Sequence, residues 1–517
     1  MQLKFTTNDE AIGNLSIENM VALIKVLGDK TTSSMCTTWV SMSNKYKAAS
    51  PTHTYYLAWS LAPAEKAGIS ARRKIAEHVK ATYLKDKAAV HSVRCWYWRW
   101  YVLCLGKDLS GEDRKLWAQR LREAFTGSPK DLVKLKTIQF WFMAYAVSTL
   151  DTSESPPMVL AWFNANKEKG FDSVSAHDLA RIANAGWADR VVMAPVMNQF
   201  ETIWLARHSQ NPLDLVTFHY IIATWHGMGE KAKAQQWTLR AYETMLGADQ
   251  AKASADAGTL KVLGRWLWDT GLTVKGKAYP AFADVLARLA REDKIPFDKW
   301  WRYRYYAAPL CTPEARQTLQ AELTDAAGNP RTVVASILAI AYREADEIDA
   351  WKTFVDKKMA EPGVVGDTRA LWLLARAWAE AFLTHEPYPL YGRQWLEEVL
   401  DTTTSAALRI VAIEQLVLGY AAACKFDEGY KFLDSTAKRF PDERTADAIK
   451  ALRPELVRSE IKYLQEQIAL SRIYEKKMNA LAAGAQEGKD REFYLKWAEY
   501  DRQRENELIL RLEQIGQ

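Results

Sequence analysis

The chain has 517 residues, of which 48% are hydrophobic and 26% are charged, and it contains 24 glycines and 17 prolines. This composition supplies enough apolar material for a large core and excludes a disordered chain or a small disulfide-stapled protein. No apolar run approaches the roughly 20 residues that a membrane-spanning helix needs, so we predict no membrane span. The length fits about three domains or one long repetitive array.

The formal net charge of +6 is unevenly distributed along the chain. Residues 65–136 hold 17 basic and eight acidic side chains, so the rest of the chain is slightly acidic. A basic surface attracts acidic partners such as nucleic acid, anionic lipid or acidic peptide. The alternative is a solvated face of ordinary surface helices, since charge runs on such helices are common.

The five cysteines have no spacing typical of a metal site. Cys95 and Cys104 are nine residues apart on one predicted helix and lie on opposite faces, so they cannot share a metal ion or an easy disulfide. We expect buried structural thiols in a reducing compartment. The first ten residues contain no apolar signal segment, which predicts a cytoplasmic protein; a trimmed start that had lost a signal peptide would instead indicate secretion.

Helical periodicity dominates the chain. In residues 215–225 and again in residues 368–382, large side chains recur at intervals of three and four. Alternating apolar and polar runs rich in β-branched residues are almost absent, so the sequence predicts an all-α fold of on the order of twenty to twenty-five helices. Ten prolines between the helical runs are predicted to end or begin helices: Pro51, Pro129, Pro156, Pro195, Pro212, Pro296, Pro330, Pro362, Pro441 and Pro454.

Residues 413–441 have the pattern of a helical repeat. A first helix carries a leucine and Tyr420 on its inner face, and Gly429 lies where a second helix crosses the first. Tyr420 and Leu433 fill the space between repeats, and Pro441 ends the second helix. This pattern resembles the tetratricopeptide repeat. The resemblance implies an α-solenoid of antiparallel helix pairs, wound into a superhelix whose groove holds an extended partner.

Weaker copies of the pattern lie elsewhere in the chain. Residues 214–246 place Gly229 at the predicted turn. Residues 259–292 place Gly271 at the turn and Gly276 at the helix crossing. The two turn glycines are 42 residues apart, longer than the 34 of the tetratricopeptide consensus, which indicates linkers of variable length.

The chain is predicted to have three parts. Residues 1–151 form a basic N-terminal helical region, and the segment 152–157 ends it. Residues 158–454 form the repeat array. Residues 455–517 form a long helical hairpin, which caps the array or, alternatively, dimerises. Its predicted seam residues are Ile461, Leu464, Ile468, Leu481, Trp497, Tyr500, Leu508 and Leu512.

Aromatic residues are abundant, with 21 Trp, 22 Tyr and 16 Phe. Residues 94–101 and residues 300–306 mix them with arginine. If exposed, both clusters offer stacking and cation–π surfaces to a peptide or to single-stranded nucleic acid. The alternative is burial between helix layers, which aromatic-rich helices usually indicate. The candidate partner-binding residues are Arg94, Trp98, Arg99, Trp301, Arg302 and Arg304.

Signatures of catalysis are poor. The sequence contains no G-x-S-x-G, H-E-x-x-H or glycine-rich phosphate loop, so we assign no catalytic, metal-binding or cofactor-binding residue. An α/α-toroid carbohydrate-active enzyme is one alternative, with Asp269 and Asp298 as its carboxylates. Residues 493–500 resemble the first helix of the HAT repeat of RNA-processing proteins, which makes an RNA-associated assembly protein another alternative.

The sequence as a whole predicts a non-catalytic scaffold or adaptor without a cofactor. Its expected partner is a protein or peptide held in the groove of the solenoid. Nucleic acid is a second candidate partner, through the basic residues 65–136. The oligomeric state is left open by the sequence.

Overall fold

The computed structural model describes residues 51–52, 54–55, 58, 69–126, 132, 134–296, 302–381, 392–485 and 488–516. The helices bounded within these ranges number 23, and the same ranges contain no β-strand. One isolated bridge joins Thr324 and Pro330. The predicted all-α fold is confirmed. The chain start, on which the predicted compartment depends, lies outside the described residues.

Residue contacts divide the chain into two compact units, Met1–Ala251 and Lys252–Gln517. The described helices of the first unit are α1 (Ile69–Tyr83), α2 (Lys87–Ser92), α3 (Cys95–Leu105), α4 (Gly111–Thr126), α5 (Thr137–Leu150), α6 (Ser155–Asn166), α7 (Ala176–Ala185), α8 (Arg190–Gln210), α9 (Leu215–Gly227) and α10 (Lys231–Leu246). The short helix α11 (Asp249–Ser254) contains the boundary. The predicted division into three parts stays a prediction.

The second unit continues with helices of similar length and ends in two long ones. They are α12 (Ala257–Asp269), α13 (Pro280–Arg291), α14 (Arg304–Ala307), α15 (Pro313–Gln320), α16 (Thr332–Glu344), α17 (Ile348–Met359), α18 (Gly366–Ala381), α19 (Arg393–Thr402), α20 (Ala406–Ala422), α21 (Phe426–Arg439), α22 (Glu443–Gly484) and α23 (Lys489–Gly516).

Each unit is built of two layers of helices. In the first unit α3, α5, α7 and α9 pack side by side, and α2, α4, α6 and α8 form the second layer. In the second unit α12, α14, α16, α18, α20 and α22 form one layer, against which the intervening helices pack. Contacts therefore join each helix mainly to the next helix and the next but one, which is the packing order of an α-solenoid. This confirms the predicted fold class.

The turn within a helix pair has a recurring geometry. Four residues at these turns have left-handed φ angles between +55° and +76°: Gly229, Gly271, Asp346 and Cys424. After each of them, the N–H of the next residue donates to the carbonyl five residues earlier, at 2.8 or 2.9 Å. This is the hydrogen bond of the Schellman motif, which satisfies a carbonyl at the helix end. The predicted turn positions of Gly229 and Gly271 are confirmed.

Glycine permits close approach of neighbouring helices at several described positions, Gly429 and Gly264 among them. A Cβ at Gly429 would lie 3.1 Å from the Cβ of Tyr420, so the predicted role of Gly429 is confirmed. Tyr420 and Leu433 are both buried beside it. Gly276 was predicted to lie at a crossing, and this is wrong: φ is +83° and no atom lies within 4 Å of its Cβ position. The glycine that α12 does place at a close crossing is Gly264, and the helix that it meets is α14, which belongs to the next pair.

Two prolines that were predicted to mark helix ends lie inside helices. Pro195 lies inside α8 and Pro454 lies inside α22, contrary to the prediction that both mark helix ends. Both are exposed, so water can satisfy the carbonyls that lose their helical donor. The predicted domain boundary at residue 455 consequently falls within α22.

The C-terminal helices α22 and α23 form the predicted hairpin. The predicted seam residues Leu464 and Ile468 are buried, and Ile461, Leu508 and Leu512 are half-buried. Leu481, Trp497 and Tyr500 are 41%, 48% and 54% exposed, so their predicted place in the seam is wrong. The small residues Ser471, Ala482 and Ala498 are buried. Small side chains let the two helices approach closely and leave the large ones on a lateral face.

None of the described helices is both long enough and apolar enough to cross a membrane.

Candidate functional site: an arginine and aromatic row

The site begins at α3, the helix with the richest run of aromatic residues. Tyr97, Trp98 and Tyr101 are buried and fix this helix to its neighbours. The opposite side of α3 presents Arg99 and Trp100, which are half-buried. Aromatic groups therefore occupy both the buried and the partly exposed face of α3.

The Arg99 guanidinium lies among aromatic rings. Its Cζ is 4.7 Å from the ring centroid of Trp141 and 5.2 Å from that of Tyr145, both in α5. It is also 5.3 Å from Trp100 and 5.6 Å from Phe142. Cation–π attraction holds the side chain in this position.

Arg181 extends this arrangement from the next helix of the same layer, α7. Its Cζ is 4.7 Å from the Trp141 ring and 5.8 Å from the Tyr220 ring of α9. Trp141 is only 6% exposed and contacts guanidinium groups from the two helices that flank its own. The result is a row across α3, α5, α7 and α9 in which cations and aromatic rings alternate, hereafter the arginine–aromatic row.

The two arginines of the row lack a carboxylate partner. Neither Arg99 nor Arg181 forms a salt bridge with any residue in the described part of the chain. The Nε atom of each is buried and donates no hydrogen bond there. Desolvated donors without an acceptor cost free energy, and no carboxylate in the described part of the chain neutralises either guanidinium group.

His177 lies at the far end of the row. Its ring is 5.7 Å from that of Tyr220, and its Nδ1 is 3.1 Å from the Thr217 hydroxyl. Burial lowers the pKa of His177 below its ordinary value, and the positive charge of Arg181 lowers the pKa further. The imidazole is consequently neutral at pH 7, and the positive charge of the row resides on its arginines.

The three predicted site residues of the first cluster, residues 94–101, lie in different environments. Trp98 is fully buried, and its indole N–H donates to the carbonyl of Val90 at 3.2 Å. Trp98 is therefore a core residue, and its prediction as a partner contact is wrong. Arg94 is exposed at the N-terminus of α3. Arg99 belongs to the arginine–aromatic row.

The second predicted cluster lies in the other unit and is separate from the row. Arg304 is half-buried, with its Cζ 5.1 Å from the ring centroid of Trp268. Arg302 is half-buried and interacts with neighbouring groups. Trp301 lies outside the described residues.

Sequence reasoning missed Trp141, Arg181 and Tyr220. They are separated by 40 and 39 residues, and Trp141 follows Arg99 by 42, so no local pattern connects them. The available signal was this near-constant interval, because one helix pair of about 40 residues separates neighbours in the same layer of a solenoid.

Part of the basic excess in residues 65–136 is neutralised within the fold. The buried Arg72 pairs with Asp108, and Lys80 pairs with Asp113 at 2.6 Å. The Lys80 ammonium and the Ser110 hydroxyl hold the pKa of Asp113 below its ordinary value. The sequence count of charges therefore overstates the positive charge that this region offers to a partner.

The carboxylates and thiols that the sequence offered for catalysis or metal binding form no common site within the described residues. Asp269 accepts a hydrogen bond from Arg265 at 3.1 Å, and Asp298 lies outside the described residues. Burial raises the pKa of the free thiols Cys95 and Cys104 to about 11. In the ranges that are described, no three His, Cys, Asp or Glu side chains form a metal-binding group. Cys424 is exposed, unlike the predicted buried thiols.

Two-layer packing, the recurring left-handed turn and the crossing glycine define the fold as a tetratricopeptide-like α-solenoid. No family model matches the chain, and a search of curated proteins found no match.

The solved structures that are similar to the chain at low identity include the following two. One is the APC/C hetero-tetramer Cut9–Hcn1, with 12% identity over 96% of this chain and 91% of that chain and a TM-score of 0.21. The other is the pentatricopeptide repeat protein PPR10 from maize, with 11% identity over 99% of this chain and 84% of that chain and a TM-score of 0.20. The fold class rests on the helix packing.

Proposed function

We propose that the protein is a non-catalytic interaction scaffold whose arginine–aromatic row binds an extended acidic segment of a partner protein. The observation that carries this proposal is the position of Arg99 and Arg181, which share the Trp141 ring and have no carboxylate partner in the described ranges. Consecutive helices of one solenoid layer offer a surface along which an extended chain can lie.

The chemistry of the row fits carboxylate recognition. A guanidinium group donates charge-assisted hydrogen bonds to a carboxylate in a fixed geometry, often two at once. Because aromatic rings already hold both arginines, little side-chain entropy is lost when the partner binds. The half-buried rings of Tyr145 and Tyr220 would add apolar contact area between the charged positions.

We further propose that the protein works in a reducing compartment such as the cytoplasm. Support comes from the four described cysteines, which are free thiols, and from the elevated pKa of Cys95, Cys104 and Cys311, about 11 in each case. A thiol that stays protonated reacts slowly and suits a structural role.

Direct binding with defined probes tests the proposal. Fluorescein-labelled oligoglutamate and oligouridylate would be titrated with the whole protein, with the double variant R99Q/R181Q and with the control R73Q/R120Q. The control removes the same charge from exposed arginines of α1 and α4. We expect the peptide to bind, with an affinity lowered about tenfold or more by R99Q/R181Q and little changed by the control.

Two results would overturn the proposal. Binding of oligouridylate without the peptide would favour an RNA-associated protein, because single-stranded bases also stack on aromatic and guanidinium groups. Equal losses in both double variants would mean that net charge, and not the row, holds the peptide.

A further inference from the structure

The distal part of the C-terminal hairpin exposes a large apolar surface. Six side chains on α22 and α23 contribute to it, each 41–55% exposed: Leu470, Tyr474, Leu481, Phe493, Trp497 and Tyr500. We call this set the hairpin face. An apolar patch of this size on a charged hairpin marks an interaction surface.

The hairpin face has the spacing of a helix-packing seam. On α23, Phe493, Trp497 and Tyr500 follow one another at intervals of four and three residues. Their rings make edge contacts, 6.2 Å between the first two centroids and 5.7 Å between the last two. On α22 the apolar positions 470, 474 and 481 follow the same alternation of four and three, with Lys477 at the interrupted position. This is the heptad pattern of helices that pack in bundles.

Both stripes lie on one side of the hairpin. At 100° per residue, each is turned by roughly 90–100° from the buried seam of its own helix. Viewed along the chain direction of each helix, the rotation from the buried seam to the exposed stripe has the same direction in both. Because the two helices are antiparallel and their seams face each other, equal rotations bring both stripes to the same side of the hairpin. Arg472 pairs with Glu505 at 2.8 Å on the opposite side. Arg502 pairs with Glu475 there at 2.9 Å, so one side of the hairpin is ionic and the other apolar.

The boundaries of the hairpin face limit what can cover it. Towards the solenoid the face ends at Arg504, which donates to the Gln467 side chain at 2.8 Å. The apolar part therefore spans about three helical turns, or roughly 16 Å, and is two helices wide. A two-helix face of this length is matched by another two-helix face with the same heptad spacing, which forms a four-helix bundle.

We propose that the hairpin face binds the same face of a second copy of this chain, which makes the protein a homodimer. A twofold axis brings identical surfaces together, so a self-complementary apolar face needs no second partner species. Four half-exposed aromatic side chains and two leucines offer on the order of 500 Å² per copy. Flanking side chains raise this area towards the roughly 600–800 Å² per partner that specific dimers bury.

Sedimentation of the whole protein across a concentration series tests the proposal. The chain mass is 58.8 kDa, and we expect the weight-average mass to rise towards twice this value between about 1 and 200 μM, because such an interface is of small to standard size. The variant W497E/Y500E is expected to weaken dimerisation by about tenfold or more, since charged groups then have to be buried in the apolar interface.

A matched control separates the hairpin face from a general loss of apolar surface. Leu495 and Leu510 are also exposed on α23 but point away from the face, so L495E/L510E should dimerise as the original protein does. Far-ultraviolet circular dichroism should be equal for all three proteins, because every substituted side chain is exposed.

Three outcomes would overturn the proposal. The first is a monomer at the highest concentration, which would leave the hairpin face to a helix of a different protein. The second is a dimer that W497E/Y500E does not weaken. The third is equal weakening by both double variants with unchanged circular dichroism, which would place the dimer contact elsewhere on the hairpin.

Discussion

The backbone of Tyr305 lies directly against Gly264. A Cβ atom built at Gly264 would be 1.7 Å from the carbonyl oxygen of Tyr305, so α12 and α14 cross where no side chain fits. Because the obstructing atom belongs to the backbone, no rotamer change can relieve the overlap. These helices can cross this closely only because residue 264 is glycine, with a hydrogen atom where alanine has a methyl group.

Substitution of Gly264 by alanine tests this crossing. We expect Gly264→Ala to lower the free energy of unfolding of the second unit by about 3 kcal/mol, because the two backbones must separate. Gly258→Ala is the control in the same helix, where the nearest atom to the added Cβ lies at 3.4 Å. This control should be neutral or slightly stabilising, since alanine favours helix. Urea denaturation measures both, and equal midpoints would contradict the crossing.

Cys424 tests the recurring turn. Its φ of +55° is strained for a residue with a Cβ, whereas Gly229 and Gly271 occupy the equivalent positions without strain. We expect Cys424→Gly to raise the free energy of unfolding by up to about 1 kcal/mol. Cys424→Val should lower it, because β-branched residues disfavour the left-handed region more strongly. Thermal denaturation should rank the proteins Gly, Cys, Val; a valine variant as stable as the glycine variant would contradict this account.

Asp256 links stability to acid pH. Its carboxylate accepts the backbone N–H of Thr259 at 2.7 Å as the N-cap of α12, and this hydrogen bond lowers the pKa of Asp256. A depressed pKa in the folded state adds stability that is present above the unfolded value of about 3.9 and is lost as the pH falls through the folded value. Asp256→Ala should cost about 1 kcal/mol at pH 7 and less at pH 2.

Asp256→Asn provides the matching control for the charge. Asparagine also caps helices, so this variant should retain most of the stability at pH 7 but lose the contribution of Asp256 to the pH dependence. Urea denaturation at several values between pH 2 and pH 7 measures both variants. If both variants keep the original pH dependence of the free energy of unfolding, the pKa of the Asp256 carboxyl is not lowered by folding.

His177 reports the electrostatics of the arginine–aromatic row. Burial lowers the pKa of His177 first, and the nearby Arg181 lowers it further. We expect R181Q to raise the pKa of His177, while the pKa of His208, which burial and Arg240 lower, stays unchanged. Histidine NMR signals followed from pH 4 to pH 8 give both values. Because His177 resists protonation in the folded state, its linked stability is lost below the unfolded value of about 6.5. An unchanged pKa of His177 in R181Q would contradict the place of Arg181 beside it.

The fold could be predicted from sequence because its determinants are local. Apolar residues at intervals of three and four define each helix, and Tyr420, Gly429 and Leu433 define one helix pair within about 20 residues of chain. The turn glycines Gly229 and Gly271 could be placed for the same reason, since a left-handed residue is a property of a single position.

The site could not be predicted in the same way, because it joins residues from different helix pairs. Arg99 lies in an aromatic run that is visible in the sequence, but the Trp141 and Tyr145 rings beside its guanidinium group belong to a helix more than 40 residues further along the chain. Helical spacing also leaves open which face is buried. Trp98 and Trp497 have similar aromatic neighbours in sequence, yet the first is in the core and the second is exposed.

The preference of each helix for its nearest neighbours has a consequence for folding kinetics. Few contacts in a solenoid join residues distant in sequence, so chain closure costs little entropy and folding is fast for the size of the chain. Structure can nucleate at any well-packed pair, such as α20 and α21, and grow in both directions. Hydrogen exchange should then show graded protection along each unit, lowest at its ends, instead of a single cooperative opening.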